Sequence, residues 1–189
     1  MYQFDPQVPL EVLEYPEPAA TDRSGPPLTQ GVIFMLISTT AAEHCSPEIL
    51  ALFDDIKPEG WYDGQLLESV LNSFEQQNPR LVVDIGKNIY YTLEGQFRTM
   101  GLTSATDVIN TMPMLWQAVT RGASGEWRSS MLGPHEAQIE MEQPYNCRFE
   151  EGAIQGALEC FDAANVSINQ HHCMRDGAPY CTLNITWQE

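Results

Sequence analysis

Lysine is nearly missing from this chain. Lys57 and Lys87 are the only two in 189 residues, and with the scattered arginines they make 9 basic groups against 26 acidic ones, a net charge of −17. A field of that sign repels phosphate backbones and anionic bilayers, so neither nucleic acid nor a charged membrane surface is an expected partner. Long apolar runs are missing too. No stretch approaches the ~20 residues that a membrane span needs. The first residues are acidic and interrupted by Pro6 and Pro9, unlike the basic-then-apolar plan of a secretory signal. The expectation is a cytoplasmic chain with no transmembrane segment. There is no glycine-rich phosphate loop, no Gly-x-Ser-x-Gly elbow, no His-Glu-x-x-His pair and no dinucleotide fingerprint, so catalysis finds little support. Cysteine is present, but in an odd number, 5. A reduced protein of this length does not need staples, which leaves core residues, metal ligands or reactive groups.

Residues 1–28 hold many of the 13 prolines and little periodic hydrophobicity. They read as a proline-rich extended arm, with Val8, Leu10, Val12 and Leu13 available to pack on the body or on a partner. Residues 29–189 read as a single domain, within the ~100–200 residues usual for one. The apolar run 31–37 continues to 44 as a helix. Ser46-Pro47-Glu48 is a helix start, with Ser at the N-cap and Pro in the first turn. Asp63 opens a helix whose Leu66, Leu67, Val70, Leu71 and Phe74 share a face, and Asn78-Pro79 ends it. Helices are expected over 81–100 and over 103–120, the second kinked or split at Pro113. The Gly/Ser-rich stretch 122–133 reads as a loop that carries Trp127. Strand alternation follows at 136–141, then a last helix at 149–161, then alternation again at 165–171 and 180–187. The fold class is α+β: an N-terminal helical half, then an antiparallel sheet with a C-terminal hairpin and one packed helix.

Cys173 and Cys181 bracket an Asp176-Gly177 turn, one at each base of the hairpin. Cys147 stands just before the last helix, and Gln170, His171 and His172 immediately precede Cys173. Three thiolates and one nitrogen or oxygen donor would complete a tetrahedral zinc site, since soft sulfur favours zinc over magnesium or calcium. The same residues also suit buried cysteines beside an exposed histidine pair. Cys160, next to Phe161, and Cys45, at a helix start, read as core.

The stretch from Pro144-Tyr145-Asn146-Cys147-Arg148-Phe149, through Gly152 and Gly156, to Cys173-x7-Cys181-Thr182-Leu183-Asn184-Ile185-Thr186-Trp187 resembles the 4-vinyl reductase domain. That domain also forms the sensory part of bacterial activators of aromatic catabolism. The resemblance implies a structural zinc held by Cys147, Cys173 and Cys181. The fourth ligand of those sensors, a glutamate, falls on Gln170. Glutamine is a poor zinc ligand, so either His171 or His172 substitutes or the site has lost its metal; the fourth ligand is open among Gln170, His171 and His172, with a histidine ranked slightly ahead. The earlier half, with Gly31-Val32-Ile33-Phe34, Pro47-Glu48, Trp61-Tyr62 and Ile85-Gly86-Lys87, resembles the wider superfamily of haem nitric-oxide-binding and Golgi-tethering domains. Haem domains of that type place a histidine near the region of Met112-Pro113-Met114-Leu115-Trp116. None is there, and the Tyr-x-Ser-x-Arg haem-propionate motif is absent, so haem ligation in that manner is not expected.

An apolar pocket is a further implication of the resemblance. Phe97, Met100, Met112, Trp116, Trp127 and Tyr145 are the candidate lining residues, being of the types that adapt to flat, greasy ligands. The leading expectation is a non-catalytic sensor or carrier of a tetrapyrrole or other apolar aromatic molecule. It would have a structural zinc, a protein partner for output and a homodimeric state, and the lineage implies a setting in pigment handling or photosystem assembly. The alternatives are a tetrapyrrole vinyl reductase fed by an external reductant, and a scaffold or tethering subunit with no ligand.

Overall fold

The computed structural model describes residues 3–5 and 10–188, so Val8 lies outside the described residues. A small antiparallel sheet in the order β1-β3-β2-β4 is built from β1 (Glu14–Tyr15), β2 (Leu28–Gln30), β3 (Trp61–Asp63) and β4 (Thr120–Arg121). Helices α1 (Gly31–Ala41), α2 (Pro47–Phe53), α3 (Gly64–Gln77), α4 (Pro79–Thr92), α5 (Glu94–Thr99) and α6 (Ala105–Val119) make up the rest of the N-terminal half. A second antiparallel sheet follows, from β5 (Trp127–Gly133), β6 (Glu136–Met141), β7 (Ala164–His172) and β8 (Cys181–Gln188), in the order β5-β6-β8-β7. Helix α7 (Cys147–Glu159) lies between β6 and β7 in the chain. The α+β class and the helices-then-sheet order are as expected.

Most helix starts carry a side-chain cap. Ser46, Asp63, Asn78, Ser104 and Asn146 each accept a backbone N–H from the first turn, at 2.8–3.3 Å. Each satisfies a donor that the helix cannot pair internally. In the second sheet, Met141 stands opposite Cys181, Ile139 opposite Leu183 and Ala137 opposite Ile185. All six are buried, because a period of two sends them to the face that meets the helices.

Three expectations need correction. Residues 81–100 form two helices, because the Leu93 N–H closes back on Tyr90 in a tight turn. That turn lets Phe97 sink into the core 5.6 Å from the Tyr90 ring. Pro113 does not split its helix: α6 runs unbroken from Ala105 to Val119. The buried Val108, Ile109, Met112 and Trp116 hold both halves to the same core, which offsets the lost hydrogen bond. Residues 122–133 are a short 3-10 turn followed by β5, and Trp127 is a buried strand residue opposite Met141. The described part of residues 1–28 lies against the body. Glu14 and Tyr15 pair with Tyr62 and Trp61, Asp5 N–H reaches Gln65 Oε1 at 2.9 Å, and the Phe4 ring lies 5.4 Å from that of Tyr145.

Helices α4 and α7 pack at unusually close range. Gly86 of α4 lies against the Phe149 carbonyl, and Gly152 and Gly156 of α7 lie against the Val83 and Lys87 carbonyls. Three glycines at one crossing let two backbones meet, which seats the first turn of α7 deep in the protein.

Candidate functional site

The helical half encloses a cavity of about 480 Å³ between α1, α4, α5, α6, β5 and the start of α7. Phe97, Met100, Met112, Trp116, Trp127 and Tyr145 all line it. Five of the six are buried, and Met100 is 43% exposed. Trp116 and Trp127 stack at 4.9 Å with 14° between their planes, and Tyr145 meets Trp116 edge-on at 5.7 Å. The polar tips of this wall are unequally provided for. Trp116 Nε1 donates to the Gly125 carbonyl at 3.3 Å. The Tyr145 hydroxyl accepts from Thr29 at 3.0 Å and lies 3.3 Å from Ser124 Oγ. Trp127 Nε1 is buried with no partner among the described residues.

Sequence reasoning missed the one buried acid on this wall. Glu150 lines the cavity and is 6% exposed. Burial, with the charge of Glu68 second, pushes its carboxyl up to about 8. Glu68 on α3 is itself raised to about 7 by burial, despite Arg175 and the Asn72 amide. The signal was available, for Glu150 falls on the helical face of Ile154 and Ala157, at positions i, i+4 and i+7. Between the ordinary carboxylate value of about 4.3 and these raised values, the folded chain holds protons that the unfolded chain has released. Stability should therefore fall as pH rises from about 5 to 8. Glu150→Gln should flatten part of that slope and leave the protein about 1–3 kcal/mol more stable than wild type at pH 8. Urea melts across that range would measure it, and parallel profiles for the two proteins would refute it.

The second feature lies at the far end of the second sheet. Cys147 is the first residue of α7, Cys173 follows β7 and Cys181 opens β8. Their sulfurs lie within 4.8 Å of one another, with Cys147 3.3 Å from each of the other two. Tetrahedral zinc with bonds of about 2.3 Å separates its sulfurs by about 3.8 Å, so a small outward shift would admit the ion. Backbone N–H groups already point at the sulfurs. Met174 N–H reaches Cys181 Sγ at 3.3 Å, and those of Arg175 and Asp176 are directed at Cys173. The hydrogen bond between Cys147 and Cys181, with burial, holds the Cys147 thiol well above the usual range, whereas the same bond lowers Cys181. Burial raises Cys173. A divalent ion bound there would displace the protons these thiols hold.

Gln170, His171 and His172 are all exposed at the end of β7. The Gln170 side chain lies within hydrogen-bonding reach of Cys147. His171 and His172 are exposed, and neither joins the cluster. The turn after Cys173 is tied to α3, where Arg175 pairs with Glu75 at 2.8 Å and with Asn72 at 2.7 Å. Asn146, which caps α7, donates to the same Glu75 and Asn72. The cluster thus joins the hairpin to the helix start that carries Glu150. Cys160 is buried, with its thiol 3.6 Å from the Tyr90 carbonyl, and Cys45 is half-buried.

No protein-family model and no curated protein sequence matches the chain. Solved structures do. An H-NOX protein from S. oneidensis in the Fe(II)NO ligation state superposes with a TM-score of 0.68 at 17% identity, over 85% of this chain and 99% of that one. An unliganded Fe(II) H-NOX protein from K. algicida gives 0.64 at 11% identity, over 85% and 97%. At these identities the likeness is one of fold. Haem itself fits poorly in the cavity. No histidine, arginine or lysine lines it, and its charged residues are Glu59 and Glu150. An axial imidazole and cations for two propionates are both missing.

Proposed function

We propose that the chain is a non-catalytic module of the 4-vinyl reductase type that binds a small, largely apolar molecule in the helical cavity. A structural zinc on Cys147, Cys173 and Cys181 would brace one wall. The observation that carries this reading is the cavity of about 480 Å³ walled by a stacked tryptophan pair and by methionines. Such walls suit flat ligands. Between a tetrapyrrole and a smaller apolar aromatic molecule, the cavity favours the second, because propionate-like charges would meet carboxyls and no cation. The fourth donor would be Gln170, whose side chain acts on Cys147, or one of His171 and His172.

A closed ion with three thiolates and a fourth protein donor has no open position for water, so its role is to hold shape. A reductase would need a hydride source, for which the chain has no evident site, and a pure scaffold would have no use for an open apolar cavity. Output would pass through a protein partner. We read the assembly as a homodimer in the cytoplasm, which light scattering showing only single-chain particles would refute. Among the described residues no helix is long and apolar enough to cross a membrane.

Ligand uptake is testable by quenching of tryptophan fluorescence with naphthalene-sized probes. Trp116→Ala should weaken binding by about 1–3 kcal/mol. Trp127→Ala should cost folding as well as binding, about 3–5 kcal/mol of stability, since its ring is buried in the stack. Equal affinity of wild type and Trp116→Ala would place the ligand elsewhere.

A further inference from the structure

Glu150 stands out among the groups around the cavity. The residue is 6% exposed. No arginine, lysine or hydrogen-bond donor among the described residues attends it, and the charge it feels is that of another acid, Glu68. Buried carboxyls are ordinarily paired, because an isolated buried charge costs several kcal/mol or is neutralised by a proton. Glu68 follows that rule at one oxygen, with Arg175 at 3.6 Å and the Asn72 amide at 3.0 Å, while its Oε2 is buried without a partner. Glu150 has neither a cation nor a donor among the described residues, and it lines the cavity.

The rest of the wall bears on what belongs there. Tyr90, Phe97, Trp116 and Trp127 line the same space, and an aromatic ring that offers a cation its face attracts it by about 0.5–2 kcal/mol. The whole chain, at −17, raises the local concentration of cations and lowers that of anions. A carboxyl without a cation, aromatic rings and a negative field are three independent features with one complement.

We propose that the cavity takes a cationic apolar molecule, a ring system or chain bearing a protonated amine or other charged nitrogen, with Glu150 as its counter-ion. This rests on the reading of the cavity as a ligand site. On binding, the ammonium meets Glu150 as the carboxylate, and any proton on that carboxyl passes to solvent. The apolar body lies against the tryptophan stack. A neutral ligand of the same shape keeps the stacking and loses the ion pair.

The test uses two probes of one shape, 2-naphthylmethylamine and 2-naphthylmethanol, titrated into the full chain near neutral pH. The amine should bind at least tenfold more tightly than the alcohol to wild type. Glu150→Gln, which keeps the side-chain shape, should remove that preference and leave the affinity for the alcohol within about twofold. An alcohol that binds as well as the amine to wild type overturns the proposal and leaves the cavity reading standing. An amine preference that survives in Glu150→Gln, or that high salt abolishes, marks attraction to the acidic surface and overturns it as well. Failure of both probes to bind overturns the cavity reading and the proposal together.

Discussion

Stripping the ion from Cys147, Cys173 and Cys181 should lower the melting temperature by about 10 °C, and restoring zinc should recover it. Metal-binding energy at a structural site is largely folding energy. The whole of the roughly 10–16 kcal/mol seen in zinc-finger peptides is not expected, because this chain has a core of its own. About 3–5 kcal/mol is reasonable, and for a chain of this length each kcal/mol moves the midpoint by about 2–4 °C. Cys173→Ser should reproduce the loss, whereas Cys160→Ser, at a thiol outside the cluster, should not. Because Cys147 starts the helix that carries Glu150, ligand affinity should fall with stability. Elemental analysis should find about one zinc per chain. A melt indifferent to chelators would remove the ion from the account. A Cys173→Ser protein of full stability that had lost turnover of some substrate would make the ion catalytic.

Gly152→Ala should cost about 3 kcal/mol or more, an effect out of proportion to one methyl group. A Cβ at that position would run into the Val83 backbone of α4. Backbone cannot rotate out of the way as a side chain does, so α7 would be levered off α4. Gly95→Ala is the contrasting change. It sits in α5 with open space around the added carbon, and should stabilise the protein by about 0.5–1 kcal/mol through helix propensity. Chemical denaturation of both variants would measure the difference. Similar values for the two would mean that the α4–α7 crossing has room to spare. Since Glu150 is held at that crossing, Gly152→Ala should also disturb the cavity.

What could be read from the amino acids alone was whatever depends on neighbours a few residues apart. Ser46, Asp63 and Asn78 announce helix starts because a cap bonds within its own turn. Cys181, Leu183, Ile185 and Trp187 announce a strand because alternation is local. Cys173 and Cys181 are placed together by a short turn, and Cys147 joined them through resemblance to a known pattern. The six residues named for the pocket all line one cavity. Only the tertiary structure decided what depends on which faces meet. Trp127 was hidden by the Gly/Ser-rich segment around it, and became a buried strand residue through pairing with Met141. Residues before 28 gained a place by adding β1 to an edge more than forty residues away. His171 and His172 stand exposed at the strand end and lie outside the cysteine cluster, which residue type alone could not show. Glu150 is one of 26 acids in the sequence. It became a buried group without a partner only when three glycines let α7 approach α4, because the environment of a charge belongs to the packing around it and not to the residue itself.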